Sequence, residues 1–286
     1  MSARAAKQLI DAALGAALCS RPGEIDYDET AQLVDIPQRD GAAEVDRQTI
    51  RAALIEALDA APHRFFAQLR RDGLLGPLFP EIDAMFGVPQ PEHHHPEIDT
   101  GVHSLLVLAQ AERLSRRACW RFAALTHDLG KARTPASLLP RHHGHEARGI
   151  APLRALVNRY CLPVSWGRCA ELAVLWHTHC HKSLELRPAT LLKLIERLGA
   201  ERHPMRLEGF LSACEADARG RPGYENCDYP QVEYLRRAAS AVREVRSRHE
   251  PSNSTPVRRI QRSEILSVLQ RHRSDHGVGS IVRSAA

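Results

Sequence analysis

Residues 127–131 read His-Asp-Leu-Gly-Lys, and candidate ligands flank them: His103 before, and His145, His177 and Asp217 after. Imidazoles and carboxylates together suit a divalent transition metal or magnesium. Neighbours on a helix point about 100° apart, so His127 and Asp128 would approach one ion from two sides at a helix end. Gly130 reads as the stop that ends that helix and opens space beside it. Lys131 sets a cation where phosphate oxygens would sit.

His103 and Asp217, on other predicted helices, complete a two-His, two-Asp set with room for water. A hydrolytic metal needs such an incomplete shell, because its water must be replaceable or activated. His145 and His177 bind a second ion, contact phosphate, or protonate a leaving oxygen. The dense run Arg141-His142-His143-Gly144-His145 should turn at least one histidine toward the site. Taken singly, each residue has a blander reading: a lone histidine is structural, a lone aspartate caps a helix, a lysine is solvated, and His93 and His94 lie on the surface. The order His, His-Asp, His, His, Asp across one helical region decides for a metal. Spacing does not choose among Mg, Mn, Ni, Co and Fe, nor between one and two ions.

The elements that must position these residues read as helices. Ile50, Leu54, Ile55 and Leu58 recur at helical spacing, and Phe65, Phe66 and Leu69 continue the pattern up to Gly73. A loop punctuated by Gly76, Pro77, Pro80, Gly87, Pro89 and Pro91 follows. Residues 99–114 form a helix that Asp99 or Thr100 can cap, and 117–129 form the next. Further helical patterns cover 147–160, 166–178, 188–199, 206–218 and 230–247. The fold class is all-α, with the candidate ligands on successive helices and the loops between them. Residues 1–46 read as a partly irregular N-terminal extension, with a helix near 6–19 and a loop over 20–46. Residues 47–248 read as the helical domain, and 249–286 as a polar, mobile tail in which only 260–269 looks helical.

Composition supports this. Apolar residues make up 43% of the 286 and aromatics 5%, while Ala, Leu and Arg are abundant, a mixture that favours helix. The formal charge of +5 is compatible with an anionic substrate and equally with a solvated basic surface. The sixteen histidines bunch around a few segments, whereas the seven cysteines are dispersed without a Cys-x-x-Cys, as expected of reduced thiols in the cytoplasm. No apolar run is long enough to span a membrane. The stretch Leu9–Leu18 faintly resembles a leader, but Asp11 interrupts it, so cytoplasmic localisation is expected.

The longer motifs resemble a known family. They are Phe-Pro-Glu-Ile-Asp-Ala-Met-Phe-Gly-Val-Pro-Gln-Pro at 79–91, His-Pro-Glu-Ile-Asp-Thr-Gly-Val-His at 95–103, and the stretch around His-Asp-Leu-Gly-Lys. Pro-Arg-His-His-Gly-His at 140–145, Arg-Pro-Ala-Thr-Leu-Leu-Lys-Leu at 187–194 and Glu-Ala-Asp-Ala-Arg-Gly-Arg at 215–221 join them. Residues 65–237 resemble the C-terminal HD domain of bacterial multifunctional tRNA nucleotidyltransferases, the CCA-adding enzymes. The resemblance implies an HD-domain helical bundle and a metal-dependent phosphohydrolase for 2′,3′-cyclic phosphates, 2′-nucleotides and small phosphate esters. It assigns His103, His127, Asp128 and Asp217 as metal ligands. The family's nucleotidyltransferase head, with its Gly-Gly turn and Asp-x-Asp pair, has no match within this sequence, so CCA addition is not expected. Where relatives carry aspartate after the histidine matching His177, this chain has Thr178, with His179 and His181 nearby.

The expected function is hydrolysis of a 2′,3′-cyclic phosphate or 2′-phosphate on a nucleotide or an RNA 3′-end, as in RNA end processing or repair. The catalytic set is Asp128, Lys131, His145 and His177, and Lys131, Arg141, His142 and Arg219 bind substrate. Two alternatives stand beside it. One is a phosphatase for free nucleotides or second messengers, which would not prefer oligonucleotides. The other is a catalytically idle RNA-binding module, whose RNA affinity would survive His127→Ala and fall steeply with salt. A homo-oligomer is compatible with the sequence, and a membrane partner is not expected.

Overall fold

A computed structural model describes residues 1–39, 45–200, 202–248 and 255–275. Residues 40–44 of the expected loop, and 249–254 and 276–286 of the expected tail, lie outside the described residues. The described secondary structure is helical, with an isolated antiparallel bridge between Pro89 and Asp99. The chain forms two compact units: Met1–His177 with Ser212–Cys227, and Thr178–Leu211 with Asp228–Ala286.

In the first unit, helix α1 (Ala3–Cys19) buries Ala6, Ile10, Ala13 and Ala17, a stripe at three- and four-residue spacing. After the short α2 (Tyr27–Ala31), α1 packs against α3 (Arg47–Asp59) and α4 (Pro62–Arg71). In the N-terminal extension, Ala3–Cys19 and Tyr27–Ala31 are helical, and Ile10, Ala13, Ala17 and Leu33 join the core of the first unit. Asp46 caps α3 by accepting from the amides of Gln48 and Thr49. Phe65, Phe66 and Phe79 meet edge to face behind α5 (Leu75–Leu78) and α6 (Pro80–Asp83), with centroids 5.4–6.3 Å apart.

Helix α7 (Thr100–Leu114) is the axis of this unit, buried on every side from Thr100 to Glu112. Asp99 caps it, accepting from the Val102 amide at 2.9 Å. Helix α8 (Ala118–Thr126) closes three residues earlier than the expected 129, and 127–130 form a turn. The buried Arg121 of α8 donates to the carbonyls of Ser115, Leu58 and Ala60, at the ends of α7 and α3. A cation there satisfies orphan carbonyls at two helix C-termini. Short 3-10 turns (Lys131–Arg133 and Ala136–Leu138) lead to α9 (His145–Arg148), α10 (Ile150–Arg159) and the part of α11 (Val164–His181) that ends at His177.

The second unit contains α12 (Pro188–Leu198), the first half of α13 (Pro204–Arg219), α14 (Gln231–Arg248) and α15 (Thr255–Asp275). Gly199 takes φ 62° and ends α12, a left-handed conformation that glycine adopts without cost. Helix α15 is 21 residues long where the polar sequence suggested a mobile tail with a ten-residue helix. Its Val257, Ile265, Val268 and Leu269 are buried, and it packs on α14 and α12. No helix of the described residues is long and apolar enough to cross a membrane.

Candidate metal centre

The candidate ligands converge within the first unit. His103 lies one turn into α7, and His127 and Asp128 sit on the turn that ends α8. His145 opens α9, His177 lies on α11, and Asp217 lies on α13. His103, His127, Asp128, His177 and Asp217 are all buried.

Asp128 stands at the middle. Its Oδ2 lies 3.1 Å from His127 Nε2 and 3.9 Å from His103 Nε2. Its Oδ1 lies 3.3 Å from His145 Nε2 and 3.6 Å from His177 Nε2. Asp217 faces the first pair, 3.2 Å from His103 Nε2 and 3.6 Å from His127 Nε2. Asp128 thus turns one oxygen to each of two histidine pairs. Two groups able to hold an ion, His103-His127-Asp128 and Asp128-His145-His177, share this carboxylate.

The hydrogen bonds fix which nitrogen of each ring faces inward. His127 Nδ1 lies 2.7 Å from the Ala124 carbonyl, His145 Nδ1 2.9 Å from that of His142, and His177 Nδ1 2.8 Å from that of Ala173. A carbonyl only accepts, so each Nδ1 carries the proton and donates it. His103 Nδ1 donates to Glu97 Oε1 at 2.7 Å, with the Gly220 carbonyl at 3.2 Å. All four rings therefore turn Nε2 to the centre. In the neutral ring that nitrogen is a bare lone pair, as a metal ligand needs.

This arrangement fits a cation. His145 Nε2 and His177 Nε2 stand 3.1 Å apart, and two lone pairs at that distance repel unless a proton or metal lies between them. His127 Nε2 and Asp128 Oδ1 are buried without a hydrogen-bond partner. Buried polar atoms left unpaired are costly, and here they point at the same space. The charges agree. Burial alone would push Asp128 up, but His127 and Lys131 hold its carboxyl well below the usual range. Burial opposes charge on His127, yet Asp128 and Asp217 outweigh it and raise that imidazole. Burial lowers His177 to about 3, leaving it a neutral donor.

The loop before α7 reaches back under the site. Gln90 and Ile98 pair through their backbones at 2.6 Å, and the Gly87 amide donates to Asp99 Oδ2. Ile98 takes φ 59°, and the turn brings Glu97 against His103. Glu97 Oε1 also accepts from His95 Nδ1 at 2.9 Å. Burial would raise Glu97, but His103 and His95 hold it at about 2. Neither Glu97 nor Gln90 was singled out from the sequence. Their signal is the loop motif itself, which ends on His103.

The expected substrate contacts are placed less uniformly. Lys131 Nζ lies 2.6 Å from Asp128 Oδ2 and donates to Gln90 Oε1, so it is an internal cation of the site. His142 bridges two loops, its Nδ1 2.8 Å from Thr134 Oγ1 and its Nε2 donating to the Pro89 carbonyl at 3.0 Å. Arg141 is exposed on the turn before it. Arg219 is engaged with Glu215 at 2.9 Å and with the Cys227 carbonyl at 3.2 Å. Arg221, two residues on, instead lies 3.2 Å from Asp217 Oδ1. In the second unit, His181 Nδ1 lies 2.8 Å from the Tyr229 hydroxyl.

Gly130 corrects a sequence reading. Its φ of −73° is ordinary, so it is not a left-handed helix stop. A Cβ there would lie 1.9 Å from the His145 carbonyl oxygen and 2.6 Å from the Gly149 nitrogen. The residue is small so that α9 can press against the His-Asp turn and bring His145 to Asp128.

The HD domain family model matches residues 100–269. The chain is 56% identical over 180 residues to the multifunctional CCA protein of Thioalkalivibrio sulfidiphilus, covering 63% of this chain and 44% of the relative. It is 51% identical over 221 residues to that of Methylococcus capsulatus, covering 76% and 52%. With that of Acinetobacter baylyi the identity is 41% over 254 residues, covering 87% and 59%. The chain spans about half the length of the curated relatives it matches. No solved structure matches.

Proposed function

Because the chain belongs to the HD domain family, we propose that it is a metal-dependent phosphohydrolase. Its substrate is a 2′,3′-cyclic phosphate or 2′-phosphate on a nucleotide or RNA 3′-end, and its setting is the cytoplasm. The observation that carries this reading is the inward turn of four Nε2 atoms onto the two oxygens of Asp128. Such a donor set asks for a divalent cation, and one carboxylate facing two histidine pairs suits two ions as well as one. The relatives' shared name, multifunctional CCA protein, supports a substrate at an RNA end.

His103, His127, Asp128 and Asp217 would hold the first ion, and His145 and His177, with Asp128, a second. A bound divalent ion supplies positive charge for phosphate oxygens and lowers the pKa of water. The surrounding side chains do the rest. Burial of the cluster keeps bulk water out and strengthens each charge interaction. Lys131, held by Asp128 and Gln90, fixes a positive charge against the carboxylate cluster. The side chain of His145 is 12% exposed, more than those of His103, His127 and His177. It is the imidazole at the rim, and where only the first ion is bound its Nε2 is able instead to pass a proton to a leaving ribose oxygen.

The test of substrate is length dependence. The metal-loaded protein is given 2′,3′-cyclic AMP and a short oligoribonucleotide ending in a 2′,3′-cyclic phosphate. The RNA-end reading expects a lower KM for the oligonucleotide. Turnover confined to free nucleotides would replace it with a nucleotide phosphatase. Salt-sensitive RNA binding without turnover, unchanged by His127→Ala, would replace it with an idle RNA-binding module.

A further inference from the structure

We propose that Arg221, at the rim of the metal centre, is a substrate-binding residue that grips the non-bridging oxygens of the phosphate. The inference rests on the phosphohydrolase reading and assigns that site its phosphate contact. Helix α13 ends at Arg219 because Gly220 and then Pro222 follow. Gly220 presses on α7, where a Cβ would lie 2.6 Å from the Val107 Cα. That contact folds the chain back so that Arg221 Nη2 donates to Asp217 Oδ1 at 3.2 Å. The same carboxylate oxygen stands 3.2 Å from His103 Nε2, so the guanidinium lies directly beside the proposed ion site.

The donor set of Arg221 is only partly used. A guanidinium has five N–H groups in a rigid fork. Arg221 Nε is buried without a hydrogen-bond partner, while the side chain as a whole is 23% exposed. Its Nε is therefore desolvated while part of the side chain stays accessible to solvent. The contact with Asp217 is on Oδ1, while Asp217 Oδ2 faces His127. A phosphate brings several acceptor oxygens that match the unused donors. The charge of Arg221 also reaches His94 and His95 on the loop before α7, which places it near that loop as well as Asp217. Arg219, the expected substrate contact, is engaged with Glu215 and the Cys227 carbonyl.

The experiment compares metal-loaded wild type, Arg221→Gln and Arg221→Lys. Inorganic phosphate affinity is read by calorimetry, metal content by elemental analysis, and kcat and KM separately with 2′,3′-cyclic AMP. Arg221→Gln should weaken phosphate binding at least about tenfold, the loss of one charge-assisted contact. KM should rise in step, and Arg221→Lys should recover part of both. Metal content should stay at the wild-type level in both variants. Unchanged phosphate affinity in Arg221→Gln would overturn the proposal, as would a parallel loss of metal, which marks a structural partner of Asp217. Phosphate binding is read without turnover, so the two readings fail separately. Arg221-dependent binding by a protein that hydrolyses no ester sinks the hydrolase and keeps the contact. Turnover and phosphate binding indifferent to Arg221 do the reverse.

Discussion

His103 donates its Nδ1 proton to Glu97 Oε1 at 2.7 Å, and neither side chain is exposed. The carboxylate fixes the ring's tautomer and orientation, so that Nε2 faces Asp128 and Asp217. Glu97 serves His95 in the same way, so one ionised oxygen orders two imidazoles.

Glu97→Gln should therefore weaken divalent-metal affinity by roughly 10- to 100-fold while the metal-free protein still folds. A chelator-competition titration of wild type and variant reads this directly. Equal affinities would show that Glu97 does not act on the metal through His103.

Gly130→Ala should destabilise the protein by about 1–3 kcal/mol, because the new methyl would collide with the His145 carbonyl and no flexible side chain can yield. It should also weaken metal binding, since α9 carries His145. Denaturant melts and metal titration check the two effects, and a neutral substitution would contradict the close approach of α9 to the His-Asp turn.

The buried pair His63–Glu112 ties the N-terminal segment to α7. Glu112 accepts from the His63 ring at 2.8 Å and backbone at 3.0 Å, and from the Gly23 amide at 2.6 Å. Glu112→Ala strands these donors and should cost about 3–5 kcal/mol. Limited proteolysis should then cut near residues 20–39 faster than in wild type. An unchanged cleavage rate would mean the segment is held elsewhere.

Acid should unfold the metal-free protein early. Burial pushes His95 down to about 3, so between the ordinary 6.5 and 3 the unfolded chain binds a proton that the folded one refuses. Glu97 is held at about 2 against an ordinary 4.5, and its contribution is complete above 4.5 and lost as pH falls toward 2. Both signs agree: stability with chelator present should decline from about pH 6.5 downward and fasten below 4.5. Denaturant midpoints across pH 7 to 4 measure it, and a flat profile would contradict the burial of this pair.

The helices and the candidate ligands on them were legible because periodicity and residue type carry them. His103, one turn into a capped helix, could be placed from spacing, whereas His127 and Asp128, expected within a helix running to 129, lie on the turn after Thr126. Glu97 and Arg221 could not be placed from spacing. Each reaches the site through a backbone reversal, at Ile98 with φ 59° and at Gly220 packed on Val107. Spacing says nothing about where such a turn returns the chain. Lys131 looked like a free phosphate contact, but its ammonium is paired with Asp128 in the fold. Helix α15 was read short because its sequence is polar, and the burial of Val257, Ile265, Val268 and Leu269 against its neighbours extends it.

The most direct test of the central claim is hydrolysis of 2′,3′-cyclic AMP by purified protein. The protein is stripped of metal and then resupplied with Mg²⁺, Mn²⁺, Ni²⁺ or Co²⁺, beside Asp128→Ala. The account predicts turnover that vanishes on stripping, returns with at least one ion, and is absent in Asp128→Ala with every ion. Turnover that persists without metal, or in Asp128→Ala, would contradict a metal centre built on that carboxylate. No turnover by the wild type with any of these ions would contradict the proposed activity.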